Sequence, residues 1–337
     1  MKKKRLLAVL LILFLLLGSA WALRRQQIQP VSDPISQTGF YLNTVVTITI
    51  YDSEDTQLLT DCMKLCEHYE NQFSRTIESS EISQLNQGYL ADENGTSHLS
   101  AETSALLAKG LEYSRLSEGA FDITIGPVSS LWDFTAENPQ VPDPKTIEPL
   151  LSRINYQKVH LTENAITFQD KQMQLDLGAI AKGFIADRIK DYLLSQNIHS
   201  ATINLGGNVL CVGTKPDGSA FRIGIQKPFS DRNEIISVVA VEDSSVVTSG
   251  TYERCFEKDG VLYHHILDPS TGYPYENELD SVTILSALSV DGDGLSTTCF
   301  ALGLEKGLAL IESLENVEAM FITKDGQLHY SSGFVQE

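Results

Sequence analysis

Residues 175–184 have the sequence LDLGAIAKGF, and this stretch predicts a strand that turns into a helix through Gly178 and Ala179. The first N–H groups of such a helix have no partner within the helix, so they face whatever lies above the turn. The stretch therefore predicts a cradle for a pyrophosphate, to which Lys182 would add a positive charge. It matches neither G-x-x-x-x-G-K-[ST] nor G-x-G-x-x-G, so neither P-loop nor Rossmann chemistry is indicated.

The segments on either side of this turn mix helical and strand-like patterns without a regular βαβ rhythm. Apolar residues at helical spacing predict helices at 55–72, 101–117, 181–196 and 295–313, with a short one near 145–152. Strand-like runs are predicted at 45–51, 156–161, 165–168, 173–177, 201–205, 221–226, 235–241 and 281–285, with a hairpin near 319–330. We therefore predict an α+β fold of mixed sheets and packed helices.

The first 22 residues have the layout of a secretory signal. Basic residues at 2–5 precede an unbroken apolar run from Leu6 to Leu17, and Ala20 and Ala22 are small residues two apart. A cleaved signal peptide and an uncleaved membrane anchor through residues 6–22 both fit this pattern. Either one predicts an extracytoplasmic protein, secreted or associated with the cell membrane. Residues 23–37 are polar with two prolines and predict a linker, which leaves 38–337 as a single folded body.

Composition excludes some classes of partner and site. The 337-residue chain carries a formal charge of −19, which disfavours a nucleic-acid surface because phosphate binding relies on Lys and Arg. Its five cysteines are scattered and odd in number, so they predict neither a disulfide framework nor a cysteine metal site.

Two further glycine-containing segments are candidates for ligand contact. The sequence GAFDITIGP at 119–127 predicts a helix end followed by a strand, and its backbone amides and Asp122 could hold the polar edge of a ligand. The sequence NLGGN at 204–208 predicts a strand that ends in a tight turn. Glycines there would also allow the backbone to approach a ligand closely.

Two segments carry candidate catalytic and metal-binding groups. His264 and His265 are adjacent on a predicted strand, so at most one can face a given site. A histidine beside the turn at 268–272 fits a general base, although a packed histidine fits the sequence as well. Asp293 and Thr297 lie four apart at a helix start, where their oxygens suit Mg²⁺, although Asp293 could equally be a helix cap. The glutamate that completes an EF-hand loop is absent from this segment.

Taken in order, these segments resemble the ApbE family of flavin transferases over roughly residues 38–305. The matching pieces are Thr44-Val45-Val46, Phe73-Ser74 with Ser80-Glu81-Ile82, GAFD at 119–122, DLGAIAKG at 176–183, NLGGN at 204–208, TSGTY at 248–252, HILDPSTG at 265–272 and DGLST at 293–297. Leu42-Asn43 stand where the family usually has a Met near Thr44.

The resemblance implies an enzyme that binds FAD with Mg²⁺ and moves FMN to a Thr or Ser hydroxyl of an acceptor flavoprotein, releasing AMP. It also implies that the acceptor belongs to a membrane redox complex facing outward. His265 is the implied catalytic base, with His264 a bystander. The implied metal ligands are Ala181, Asp293, Ser296 and Thr297. The implied flavin-nucleotide contacts are Thr44, Ser74, Thr76, Ala120, Phe121, Asp122, Gly178, Lys182, Phe184 and Ile266.

Two other functions use the same nucleotide and metal sites and stay open at this point. One is an FAD pyrophosphatase, in which water replaces the protein hydroxyl and the products are FMN and AMP. The other is an extracytoplasmic flavin-binding protein without catalysis.

Overall fold

A computed structural model describes residues 33–231 and 234–336. The predicted signal or anchor at 1–22, and the linker as far as residue 32, lie outside the described residues. The end of the predicted linker is wrong, because strand β1 (Ile35–Tyr41) already begins at Ile35. Ile35 and Gln37 pair with Ile50 and Ile48 of β2 (Thr44–Ile50), so 35–37 belong to the folded body.

An eight-stranded antiparallel sheet forms the centre of the described part of the chain. Its strand order is β1-β2-β6-β7-β10-β13-β14-β15. The six strands after β2 are β6 (Ser200–Leu205), β7 (Asn208–Gly213), β10 (Ser245–Gly250), β13 (Leu279–Ser286), β14 (Glu318–Thr323) and β15 (Leu328–Tyr330). Strand β10 pairs with both β7 and β13, so segments that are distant in the sequence lie side by side in this sheet.

Three small antiparallel sheets complete the strands described. They are β3 (Thr96–His98), β4 (Val159–Leu161) and β5 (Ala165–Phe168); the hairpin β8 (Phe221–Gln226) and β9 (Ile235–Val241); and the hairpin β11 (Cys255–Lys258) and β12 (Val261–His264). Apolar residues of β8 and β9 pack on one face of the large sheet, against Cys211, Val246 and Met320. That face is therefore covered beside β7, β10 and β14.

The helices are α1 (Thr56–Phe73), α2 (Glu81–Asn86), α3 (Ala101–Leu116), α4 (Gly126–Ser129), α5 (Pro144–Leu151), α6 (Ala181–Ser195) and α7 (Ser289–Glu312). α7 packs on β10 and β13 and also on α6. It is long and apolar enough to cross a membrane by composition, but half of its apolar window is buried and Gly303 interrupts the helix. We interpret it as a core helix, and the predicted α+β fold is confirmed.

Close approach of α6 to α7 depends on Gly183. A Cβ atom at this position would lie 2.3 Å from the carbonyl oxygen of Ser289, a backbone atom that cannot move aside easily. The hairpin between β6 and β7 likewise requires Gly206, whose φ is +66° and whose Cβ would lie 2.1 Å from Thr44 Oγ1. Gly183 therefore allows α6 to approach the start of α7, and Gly206 allows the hairpin to approach Thr44.

Some predicted strands are wrong. Residues 173–177 are extended but form no strand, because the side-chain amide of Asn86 bonds both main-chain groups of Leu175, at 2.7 and 2.9 Å. Only an isolated bridge joins Gln174 to Ile125. The strand predicted after Gly119 is a series of turns leading into α4. The first part of the predicted strand 156–161 is a 3₁₀ turn at Tyr156–Lys158.

Candidate active site

The turn at residues 175–184 leads into α6 beside a buried carboxylate. The main-chain N–H of Gly183 donates to Asp293 Oδ2 at 2.6 Å, and Lys182 Nζ lies 3.9 Å from Asp293 Oδ1. Asp293 is only 3% exposed, and it belongs to α7 rather than capping it, because α7 starts at Ser289. Ala181 is the first residue of α6. The N-terminus of α6 therefore binds a carboxylate of its own chain.

Three hydroxyl groups lie together next to Asp293. Ser249 Oγ on β10 is 2.8 Å from Ser296 Oγ and 3.2 Å from Thr297 Oγ1, both on α7. Ser296 Oγ also donates to the main-chain oxygen of Asp293 at 3.1 Å. Ser249 was not among the predicted site residues, although it lies within the TSGTY segment at 248–252. Its position next to Thr297 depends on the packing of α7 against β10.

These oxygen donors fit a small hard cation with few protein ligands. Within the described ranges, no group of three or more His, Cys, Asp or Glu side chains is placed to hold a metal ion. A metal here would rely on the Asp293 carboxylate, the Thr297 hydroxyl and main-chain oxygen. Mg²⁺ takes one or two carboxylates and completes its shell with water and phosphate, so this donor set suits it when a pyrophosphate is bound.

His265 lies just past β12 with one ring nitrogen buried and free. Its main-chain N–H donates to the carbonyl oxygen of Arg254 at 3.1 Å. Within the part of the chain described, Nδ1 has no hydrogen-bond partner. Burial lowers the pKa of His265 to about 3, and the positive charges of Arg254, His264 and Lys182 act in the same direction. The ring is therefore neutral at physiological pH.

His264 has a different environment and holds the loop that carries His265. Its Nε2 lies 3.1 Å from the carbonyl oxygen of Tyr275, and its Nδ1 accepts from the N–H of Ile266 at 3.3 Å. The Tyr275 hydroxyl in turn donates to the carbonyl oxygen of Ala120 at 2.8 Å. These bonds need a neutral His264, and burial lowers its pKa to about 4.

We expect His264→Gln to change how stability depends on pH. The folded pKa of His264 lies below the value of about 6.5 for an unfolded chain. The unfolded state then binds more protons between these values, so the wild type loses stability as the pH falls from about 6.5 towards 4. The loss is about 1.4 kcal/mol per pH unit for one such group.

Denaturant unfolding at pH 7 and pH 4.5 measures this effect in both proteins. The variant should have a lower free energy of unfolding than the wild type at pH 7. The difference between the two free energies should be smaller by about 2–3 kcal/mol at pH 4.5. Parallel stability curves for the two proteins would contradict a neutral, buried His264.

The loop at 119–124 is held by its own side chains. Asp122 Oδ1 accepts from the N–H and hydroxyl of Thr124 at 2.8 and 2.7 Å, and Oδ2 accepts from the N–H of Tyr156 at 2.9 Å. Burial raises the pKa of Asp122, opposed by these bonds. Phe121 is buried, and its N–H donates to Ser117 Oγ at 2.8 Å. Asp122 therefore stabilises the loop, and its contact with a ligand stays a prediction.

The segment after α1 is joined to the turn of residues 175–184. Ser74 caps the end of α1, and its hydroxyl lies 3.1 Å from that of Thr76. Between them, Arg75 Nε pairs with Asp176 Oδ2 at 3.0 Å, and Asp176 Oδ1 accepts from the N–H of Gly178 at 2.9 Å. The ion pair between Arg75 and Asp176 thus joins the segment of Ser74 and Thr76 to that of Gly178. Local sequence patterns do not predict this ion pair.

The remaining predicted contacts fall at three places. Phe184 is buried against Tyr69 and Phe73 in the core, with a ring separation of 5.6 Å from Phe73. Thr44 lies against Gly206 at the hairpin between β6 and β7. Arg254 donates to the main-chain oxygen of Asn43, the residue before Thr44, at 3.3 Å. Ile266 is buried in the loop held by His264. Phe184 therefore has core contacts, whereas Asn43, next to Thr44, is joined to Arg254, whose carbonyl oxygen accepts from the N–H of His265.

Comparisons with known proteins agree over most of the chain. A model of the ApbE family matches residues 42–321. A FAD:protein FMN transferase of Klebsiella pneumoniae is 38% identical over 299 residues, which are 88% of this chain and 92% of that protein. One from Treponema pallidum is 35% identical over 321 residues, covering 89% of this chain and 87% of that protein.

Solved structures show the same similarity in three dimensions. Flavin transferase ApbE from Vibrio cholerae superposes with a TM-score of 0.80 at 29% identity, over 90% of this chain and 98% of that one. An ApbE protein from Thermotoga maritima gives a TM-score of 0.80 at 30% identity, over 89% and 97% of the two chains.

Proposed function

This chain belongs to the ApbE family, and we propose that it transfers FMN from FAD to a Thr or Ser hydroxyl of an acceptor flavoprotein, with Mg²⁺ at Asp293 and release of AMP. Flavin transfer from FAD to a protein is the activity by which its curated relatives are named. The observation that supports the finer proposal is a neutral His265 close to Lys182, in a site that also contains a buried carboxylate and a cluster of hydroxyls.

The reaction exchanges the phosphoanhydride bond of FAD for a phosphoester bond to the acceptor. The acceptor oxygen attacks the phosphorus of the FMN half of FAD, a new P–O–C bond forms, and the P–O bond to AMP breaks. His265 takes the proton of the acceptor hydroxyl on its imidazole ring, which is neutral at physiological pH. General-base catalysis of this kind contributes about 10²–10⁴-fold.

The charged groups around Asp293 supply the electrostatic part of the reaction. Mg²⁺, when bound, neutralises pyrophosphate oxygens and stabilises the leaving phosphate. Asp293 would hold it with Thr297 and the carbonyl of Ala181, and Ser296 is joined to this set through Ser249. Lys182 lies close enough to Asp293 to carry a second positive charge beside the same phosphates. Little covalent chemistry is required of the protein in such a transfer.

The location of the protein outside the cytoplasm and the nature of its acceptor are part of the same proposal. The basic residues at 2–5 and the apolar run from Leu6 to Leu17 support export or anchoring, with the folded body outside the cytoplasm. A body exposed there would meet acceptor domains of membrane redox complexes that face the same compartment. Protease accessibility of the body in spheroplasts tests this location, since a protected body would contradict it.

Product analysis tests the proposed chemistry. The purified protein is incubated with FAD and Mg²⁺, with and without EDTA, in the presence of an acceptor domain from a membrane redox complex. We expect AMP in amounts equal to the FMN attached to the acceptor, and neither product with EDTA. AMP with an equal amount of free FMN and no labelled acceptor would favour an FAD pyrophosphatase instead.

A further inference from the structure

Asn208 lies between the carboxylate of Asp293 and the first residue of α7. Its Nδ2 donates to Asp293 Oδ1 at 2.9 Å, and its Oδ1 accepts from the hydroxyl of Ser289 at 2.7 Å. The side chain is 2% exposed and follows directly after the turn at Gly206-Gly207. Both ends of the amide are therefore occupied, away from solvent.

The bond from Ser289 fixes which end of the amide faces Asp293. Rotating the amide by 180° would bring its oxygen against the carboxylate, and two acceptors repel. Ser289 itself cannot shift readily, because its N–H donates to Asp187 Oδ1 at 2.8 Å while the N–H of Val290 donates to Asp187 Oδ2 at 3.0 Å. The start of α7 thus provides a rigid support for Asn208.

Two neutral donors then hold the carboxylate from opposite sides. Asn208 bonds Oδ1 and the N–H of Gly183 bonds Oδ2. Each carboxylate oxygen accepts two hydrogen bonds or ligand contacts, so one lone pair on each oxygen is left for a cation. A carboxylate without Asn208 could rotate about its side-chain bonds or turn towards Lys182, 3.9 Å away.

We propose that Asn208 is a positioning residue for the metal ion, holding the Asp293 carboxylate in the orientation that binds Mg²⁺. This inference rests on the proposed function, in which Asp293 is a metal ligand. Hydrogen-bond partners of metal ligands typically change metal affinity by about 10–100-fold when they are removed. A polar residue that served only to stabilise the fold would lower thermal stability without changing the metal requirement.

Metal titration of Asn208→Ala tests this role. Mn²⁺ binding is measured by electron paramagnetic resonance with FAD present, and the Mg²⁺ concentration for half-maximal AMP release is measured separately. We expect both affinities to weaken by about 10–100-fold. The rate at saturating Mg²⁺ should recover much of the wild-type value, since Asn208 touches no reacting atom.

Two companion variants separate positioning from folding. Ser289→Ala removes the support of Asn208 and should weaken Mn²⁺ binding in the same direction, by less. Asn71→Ala is the matched control: its side chain is exposed on α1 and donates to the carbonyl oxygen of Glu67 at 2.9 Å, so the metal affinity should not change.

The outcomes distinguish this inference from the proposed function. Unchanged Mn²⁺ and Mg²⁺ affinities in both Asn208→Ala and Ser289→Ala would overturn the positioning role, while leaving Asp293 as a ligand. A wild-type protein that neither binds Mn²⁺ nor requires Mg²⁺ would overturn the metal assignment itself, and the role of Asn208 with it.

Discussion

Replacing Asp293 with Ala should abolish Mg²⁺-dependent transfer, with a fall in turnover of roughly 10³-fold or more. Metal ions contribute several kcal/mol of charge stabilisation in such reactions, and each 1.4 kcal/mol corresponds to a tenfold rate. Asp293 is the only predicted metal ligand that carries a negative charge, and it is buried next to the start of α6. Added Mg²⁺ should also no longer raise the melting temperature in the presence of FAD.

Asp293 contributes to folding as well, so the variant needs a control. Its loss leaves the buried N–H of Gly183 without an acceptor, which costs about 1–3 kcal/mol. Asp293→Asn keeps the shape of the side chain and removes the charge, so it should fold better and still fail to respond to Mg²⁺. Wild-type, Mg²⁺-dependent turnover in Asp293→Asn would contradict the assignment of Asp293 as a ligand.

Replacing His265 with Ala should lower transfer by about 10²–10⁴-fold while FAD binding is largely retained. Nδ1 of His265 has no hydrogen-bond partner within the described residues. The substitution to Ala therefore breaks no hydrogen bond at this nitrogen. Rapid-quench measurement of acceptor labelling, with FAD affinity from fluorescence quenching, separates the two effects. Equal labelling rates in wild type and variant would exclude His265 as the base.

The pH profile of the wild type gives a second test of His265. The base works in its neutral form, and with a pKa of about 3 that form is lost only as the pH falls through 3. We therefore expect kcat/KM to show no acid-side inflection from this group between pH 8 and 5. A histidine at the ordinary value of 6.5 would lose about thirtyfold over the same range, and such a decline would contradict a buried, uncharged His265.

Local patterns predicted the longer helices of this fold well, but not the short helices α2 and α4. The spacing of apolar residues predicted α3, and in the structure its N-terminus is capped by Ser100 Oγ, which accepts from the N–H of Thr103. Helix periodicity and caps depend on residues a few positions apart, so the local sequence is enough to predict them. The start of α7 was placed six residues too late, because its first turn is polar and is capped by Asp187, a residue of another helix.

Contacts between distant segments explain most of what the sequence did not predict. Residues 173–177 have the composition of a strand, but the amide of Asn86 takes the hydrogen bonds that a partner strand would have made. Strand β10 was not predicted, although it carries Ser249, whose hydroxyl lies 3.2 Å from that of Thr297 on α7. Each of these outcomes depends on which elements become neighbours, and that is decided by packing of the whole chain.

The candidate site likewise contains some residues that were predicted from the sequence and others that were not. The resemblance assigned His265, Asp293 and Thr297, and the structure places them on two elements that approach Lys182, the loop after β12 and helix α7. It did not assign Asn208 or Ser249, whose side chains contact those elements. Nothing in the local sequence around Asn208 distinguishes it from Asn204, which is exposed on the same hairpin.

Intact-mass analysis of the acceptor tests the central claim most directly. The purified protein, FAD and an acceptor domain from a membrane redox complex are incubated with Mg²⁺ or with EDTA, and the modified residue is mapped by fragmentation. We predict that the acceptor gains one FMN, linked through phosphate to a Thr or Ser, only when Mg²⁺ is present. An unmodified acceptor in a reaction that has converted FAD to FMN and AMP would contradict the transferase account.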